Sequence, residues 1–266
     1  MKVEDFCGLI LAGRRGPRDA LAESRGATHR ALLPVAGIPM LVRVVRTLRA
    51  SGLARLHVSI DAPELLEAEP ELAVLRRTGA LVIHRSEDSP SRSVASALAA
   101  DAMLPCLVTT ADHALLTPEM VRHFLDEACR SSADLLIGMV AASLVQRAYP
   151  ETRRTYLRLR GEAWSGANLF AFRTPRARRV ADFYVRAERF RKQPWRLVAA
   201  IGPSLLLLYG LRRLDLDGAL ARGSPRLGAQ VAAVHMPQAE AAIDVDREGD
   251  LVLAERILRD RAPIAG

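Results

Sequence analysis

Three groups of side chains in this sequence have types and spacing suited to handling phosphate. The first follows the apolar run Phe6 to Ala12. There Leu11-Ala12-Gly13-Arg14-Arg15-Gly16 sets a glycine directly behind a buried strand, where the backbone can turn tightly and offer N–H groups to a phosphate or a base, with Arg14, Arg15 and Arg18 as cations beside it. Taken alone it also reads as a basic surface loop, because neither GxGxxG nor the Walker GK[ST] accompanies it. The second is Asp112, which closes an apolar strand and is followed by Thr117-Pro118, a threonine cap with proline at the first helical position. That order puts Asp112 at the carboxyl edge of a sheet, or else closing an Asx-turn. The third is Ile243-Asp244-Val245-Asp246. Only one of Asp244 and Asp246 is expected to enter a common site, and Asp246 could instead cap the last helix.

Other chemistries find little support. His29, His57, His84, His113, His123 and His235 form no HExxH pair, no GxSxG is present, and His113 reads as a wall residue. Cys7, Cys106 and Cys129 lack metal spacing and sit among apolar residues, as expected of a cytoplasmic protein.

Alternating strand-length and helix-length runs must position these groups. Strands are expected at Phe6 to Ala12, Leu56 to Ile60, Leu81 to His84, Cys106 to Thr110 and Leu135 to Val140. Helices are expected at Pro39 to Ala50, Pro63 to Arg77, Ser91 to Met103 and Pro118 to Ser131. This is the order of an α/β fold, a Rossmann-like, mostly parallel sheet with helices on both faces, whose ligands bind beyond the carboxyl ends of the strands. The informative loops are then 13–30, 85–92 and 111–117. Further on, Tyr156 to Leu159, Ala167 to Phe172, Val231 to His235 and Ala241 to Val245 read as strands. Pro175 to Phe190, much of 191–223 and Asp250 to Arg259 read as helices. With no repeat and no Gly/Ser linker, 1–266 is expected to form a single domain in which 173–225 is a C-terminal helical subregion.

The 266 residues are 50% hydrophobic, enough for a substantial core, and the net charge of +8 favours anionic partners. Only Lys2 and Lys192 are lysines, so a single arginine carries little weight as a signal. Aromatic content of 5% without stacking motifs argues against nucleic acid. The N-terminus lacks a signal peptide's basic start, and the apolar stretch Leu197 to Leu211 is shorter than the roughly 20 residues of a membrane span. Arginines and Trp195 flank that stretch, a pattern that fits either a core helix or a weak peripheral membrane contact.

The order strand, LAG, basic glycine-containing loop, R-A-L-L-P-V-A-G-I-P-M, helix resembles the opening of the MobA-like nucleotidyltransferases, with Arg14 where the family has the second glycine of LAGG and Arg30 where it has lysine. The resemblance extends to Asp112 and to the segment around Asp246, which is similar to the family's late D/N-x-D/N-T-P-E-D-L. It implies a GT-A-like fold and Mg²⁺ held by Asp112 and Asp246, with Asp246 favoured over Asp244. It further implies phosphates held by Gly13, Arg14, Arg15 and Arg30, and a nucleotide bounded by Leu11, Ala12 and Ser93. Arg14, Arg30 and Asp112 would be the catalytic set, and Arg30→Lys is expected to keep or raise activity. The implied reaction moves NMP from an NTP, with CTP or GTP favoured, onto a phosphorylated small alcohol, sugar or cofactor and releases pyrophosphate. The alternatives are a GT-A-like sugar transferase and, because of the changed Arg14 and Arg30 positions, a non-catalytic nucleotide sensor.

Overall fold

The computed structural model describes residues 1–14, 16, 19–99, 101–187 and 202–261. The strands of the main sheet are β1 (Cys7–Leu11), β4 (Leu56–Ile60), β5 (Leu81–Arg85), β6 (Cys106–Thr110), β7 (Leu135–Ala141), β8 (Leu157–Arg158), β9 (Ala163–Phe172) and β10 (Val231–His235), and a small ribbon pairs β2 (Pro34–Val35) with β3 (Ile38–Pro39). The main sheet runs β10-β7-β9-β6-β1-β4-β5, with β8 on β9. All its pairings are parallel except those of β9, which runs against β6, β7 and β8.

The chain leaves β1 toward β4 and β5 on one side, then returns to place β6 on the other. β1 and β6 therefore flank the switch point of the sheet, the place where crevices open in such folds. The backbones there are joined by Ala111 N–H donating to Leu11 O at 2.9 Å.

Side-chain alternation gives β1 and β6 two buried faces. Ile10, Val58 and Leu107 pack with α2 (Met40–Ala50) and α5 (Pro118–Arg130), and α6 (Ala142–Ala148) adds Val145 to the same cluster. Cys7, Leu9, Cys106 and Val108 pack with α4 (Pro90–Ala97) and α7 (Arg178–Ala187). A third apolar group joins the loops above the carboxyl edge to the C-terminal helix Glu248–Arg261, through Leu33, Met40, Leu115, Ile243, Val245 and Leu251.

Several expected elements are shorter or divided. Pro63 to Arg77 becomes a 3₁₀ turn, Pro63–Ala68, and then α3 (Pro70–Arg77), because Pro70 lacks the N–H that a continuous helix would use and its ring crowds the preceding turn. The helix expected from Ser91 begins at Pro90 and is capped by Ser89, whose Oγ accepts from Arg92 N–H at 3.3 Å. Ala241 to Val245 is not a strand: Ala239–Ala242 is a 3₁₀ turn, and Val245 N–H donates to Asp112 O at 2.9 Å across the site. In 173–225 the described helices are α7, Pro203–Gly210 and Leu216–Leu227, while Trp195 and the basic residues 189–192 lie outside the described residues. No helix among the described residues is long and apolar enough to cross a membrane.

Candidate active site

The first loop leaves β1 through Gly13, and its position requires a glycine. A Cβ there would stand 2.8 Å from both Cβ and Oγ of Ser86, at the exit of β5. The two ends of the loop are then fastened to one carboxylate. Asp61, just past β4, accepts from Arg14 N–H at 2.9 Å and from Arg14 Nε at 2.7 Å, and its other bond is to His29 Nε2 at 3.0 Å. His29 is buried and its Nδ1 accepts from Ala31 N–H at 3.1 Å, which places the ring proton on Nε2 and makes that nitrogen the donor to Asp61. Burial opposes ionisation of Asp61, but the bonds from His29 and Arg14 outweigh it and hold the carboxyl far below the usual range. Arg14 is thus a tether for the loop entrance rather than a cation held open for phosphate. Arg15 lies outside the described residues.

Arg30 is also engaged. Its Nη1 donates to Asp19 at 3.0 Å, and its Nη2 donates to Asp246 at 2.9 Å and to Val245 O at 2.8 Å. Asp19 caps α1 (Ala20–Ser24) by accepting from Leu21 and Ala22 N–H. Burial opposes its ionisation as well, and the Ala22 N–H and Arg30 more than compensate, lowering its pKa.

Beyond β6 the site is acidic. Oxygens of Asp112, Asp244 and Asp246 all lie within 4.8 Å of one another. The expectation that only one of Asp244 and Asp246 enters the site is corrected: residues two apart along an extended stretch share a face, and with Ile243 and Val245 buried on the other side both carboxylates reach Asp112. Asp244 is held by Arg154, which donates to its carboxylate and, at 3.1 Å, to its carbonyl, and by Asn168 Nδ2 at 3.2 Å. The same guanidinium reaches Asp250 at 2.6 Å, and Asp250 in turn accepts from Asp246 N–H at 3.2 Å and Arg247 N–H at 3.0 Å. Asp250, the third residue of the last helix, thus reaches back to the backbone N–H groups just before that helix. Three carboxylates as a pure oxygen donor set fit a hard divalent cation such as Mg²⁺.

Leu11, Ala12, Gly13, Asp19, Arg30 and Asp112 line a cavity of about 60 Å³ between these groups, narrowed by the ion pairs of Arg30. Ser93 is buried at the start of α4, where its Oγ accepts from Glu87 N–H at 2.9 Å and so shapes the loop behind Ser86. His113 is buried outside the carboxylate cluster. Burial pushes its pKa down to about 4, which keeps the imidazole neutral.

Asp19, His29, Asp61, Arg154 and Asn168 were not among the expected site residues. Arg154 sits in an irregular segment of an arginine-rich sequence and Asn168 inside β9, and neither carries a local signal. Asp61 does carry one, an acid directly after a buried parallel strand, much as Asp112 follows β6 two residues on.

The MobA-like NTP transferase domain matches residues 8–208. No curated protein matches the chain. A solved structure titled a hypothetical transferase, from Thermus thermophilus, is 31% identical over 94% of this chain and 100% of its own, with a TM-score of 0.75. Two more distant structures share the fold. CMP:2-keto-3-deoxy-manno-octonic acid synthetase complexed with CTP is 15% identical over 96% of this chain and 99% of its own, with a TM-score of 0.52. The 4-diphosphocytidyl-2C-methyl-D-erythritol synthase of Anaerococcus prevotii is 12% identical over 97% of this chain and 98% of its own, with a TM-score of 0.56. With the family's domain covering most of the chain, this protein belongs to the MobA-like NTP transferase family and is a nucleotidyltransferase.

Proposed function

We propose that the protein is a Mg²⁺-dependent enzyme that moves NMP from an NTP, CTP or GTP before others, onto the phosphate of a small phosphorylated alcohol, sugar or cofactor, with release of pyrophosphate. The observation that carries this reading is the convergence of Asp112, Asp244 and Asp246 beside Gly13 at the switch point of the sheet. Bound there, Mg²⁺ would supply charge neutralisation for the triphosphate.

The chain's own residues do the rest. The acceptor phosphate is already an anionic nucleophile, so the protein needs no general base, only alignment and electrostatic stabilisation. Gly13 leaves the loop backbone accessible, and Asp61 holds both loop ends so that Arg30 faces the carboxylates. Arg30 is the cation placed to pass from Asp246 to a phosphate oxygen when nucleotide enters. Ser93 keeps the 86–89 loop in place for the nucleobase. We read 1–266 as one such domain, acting in the cytoplasm on small molecules rather than on nucleic acid.

A screen of the four NTPs against phosphorylated alcohols, following pyrophosphate, tests the proposal. Release that needs both a divalent cation and an acceptor supports it. The ion pairs of Arg14 and Arg30 favour a second reading, a nucleotide sensor, which would bind NTP and release nothing; a sugar transferase would consume a nucleotide sugar and also release no pyrophosphate.

A further inference from the structure

Beneath the carboxyl edge of the sheet, between the strands and the helices α4 and α7, lies an apolar chamber of about 270 Å³. Val108, Ile137 and Phe170 line it from the sheet, and Val94, Val180 and Ala181 from the helices. Its mouth is shared with the nucleotide cavity, because Leu11, Pro90 and Thr110 line both. Thr110 contributes a buried hydroxyl that has no hydrogen-bond partner among the described residues. An apolar cavity of about 150 Å³ already holds a benzene-sized molecule, so this one has room for a larger hydrocarbon group. Interiors are otherwise close-packed, and a concave apolar space continuous with a substrate cavity is the usual form of a ligand pocket.

Resting on the nucleotidyl-transfer reading, we propose that the acceptor is a phosphomonoester of a short apolar alcohol, with an alkyl, prenyl or aromatic group seated in this chamber and its phosphate at the mouth. In the reaction an oxygen of that phosphate forms a bond to the α-phosphorus of the NTP. The bond from the α-phosphorus to the bridging oxygen breaks, and pyrophosphate leaves with the electron pair. No proton changes hands when the acceptor enters as its dianion. The lining is mostly apolar, with Ser91, Thr109, Thr110 and Tyr184 as its hydroxyl-bearing residues, so a sugar phosphate or a zwitterionic alcohol phosphate would find partners for only some of its polar groups, which disfavours it.

The test is calorimetric binding of ethyl, butyl, hexyl and octyl phosphate to the full chain with Mg²⁺, beside a separate titration of CTP and GTP. Affinity should rise about fourfold per added methylene, the equivalent of burying one CH₂, and level off once the chamber is full. Ala181→Leu, which fills the chamber, should move the plateau to shorter chains, and Val180→Ala, which enlarges it, to longer ones. These opposite changes keep the test decisive if one variant folds poorly. Affinity independent of chain length, or a chain-length series that neither variant shifts, overturns the chamber assignment even when nucleotide binds normally. If neither nucleotide binds while the alkyl series behaves as expected, the nucleotidyl-transfer reading fails and the acceptor role fails with it.

Discussion

Arg30 and Asp246 form an ion pair of 2.9 Å, so the cation at the position of the family's lysine is held by one of the carboxylates that would take the metal. The guanidinium uses its two ends on two acids at once, Asp246 and Asp19, and adds the Val245 carbonyl. A lysine ammonium has no planar fork with which to span them. The expectation that Arg30→Lys keeps or raises activity is revised accordingly: the variant should lose about 1 kcal/mol of stability in urea unfolding and show a raised KM for the nucleotide. Wild-type stability and KM in Arg30→Lys would show that the forked geometry is incidental.

Arg154 is the larger structural commitment. Its side chain is 8% exposed and serves both Asp244 and Asp250. Arg154→Met would leave two mostly buried carboxylates short of their cation, a change that costs about 3 kcal/mol or more. Denaturant unfolding measures it, and a loss under 1 kcal/mol would mean that water replaces the guanidinium at little cost.

The short parallel strands, central or at the edge, were the most legible part of the fold. Leu56–Ile60, Cys106–Thr110 and Val231–His235 have the ends that their apolar runs predict. Ala241 to Val245 has the same apolar look for a different reason. Ile243 and Val245 are buried against Leu33 and Leu115 in a loop cluster, so their alternation records packing above the sheet rather than membership of it. Of the candidate site, Gly13 and Asp112 stand out by strand order, whereas Arg30 and Asp246 stand out only through the family resemblance. Arg154 finds its acids 90 and 96 residues away, a pairing made only by the folded chain.

Gly13→Ala should raise the nucleotide KM about tenfold by forcing the loop away from Ser86, an overpacking effect of about 1.4 kcal/mol. The double variant Gly13→Ala/Ser86→Gly removes the facing side chain and should recover most of that loss. If the second substitution brings no recovery, the close approach is not what makes glycine necessary here.

His57 and His84 meet across β4 and β5, with Nδ1 and Nε2 2.8 Å apart. Burial, and then the neighbouring His84 and Arg55, lower the His57 pKa to about 4 from 6.5. The native state therefore stays neutral while the unfolded chain takes up a proton, and stability should fall as pH drops from 6.5 to about 4. The effect should be about 1 kcal/mol after allowing for solvent screening at this half-buried site. Urea unfolding across that window, with His57→Gln showing a shallower slope, checks it; equal slopes in the two proteins would exclude His57 as the source.

The carboxylate cluster carries the central claim, and Asp112→Asn tests it with the least change of shape. Pyrophosphate release from the preferred NTP and acceptor should be measured for wild type and Asp112→Asn at saturating Mg²⁺, with thermal unfolding confirming that the variant is folded. The account predicts a rate at least about a hundredfold lower in the variant, the scale of losing one electrostatic contact to the transition state. A folded Asp112→Asn enzyme that releases pyrophosphate at the wild-type rate would contradict it.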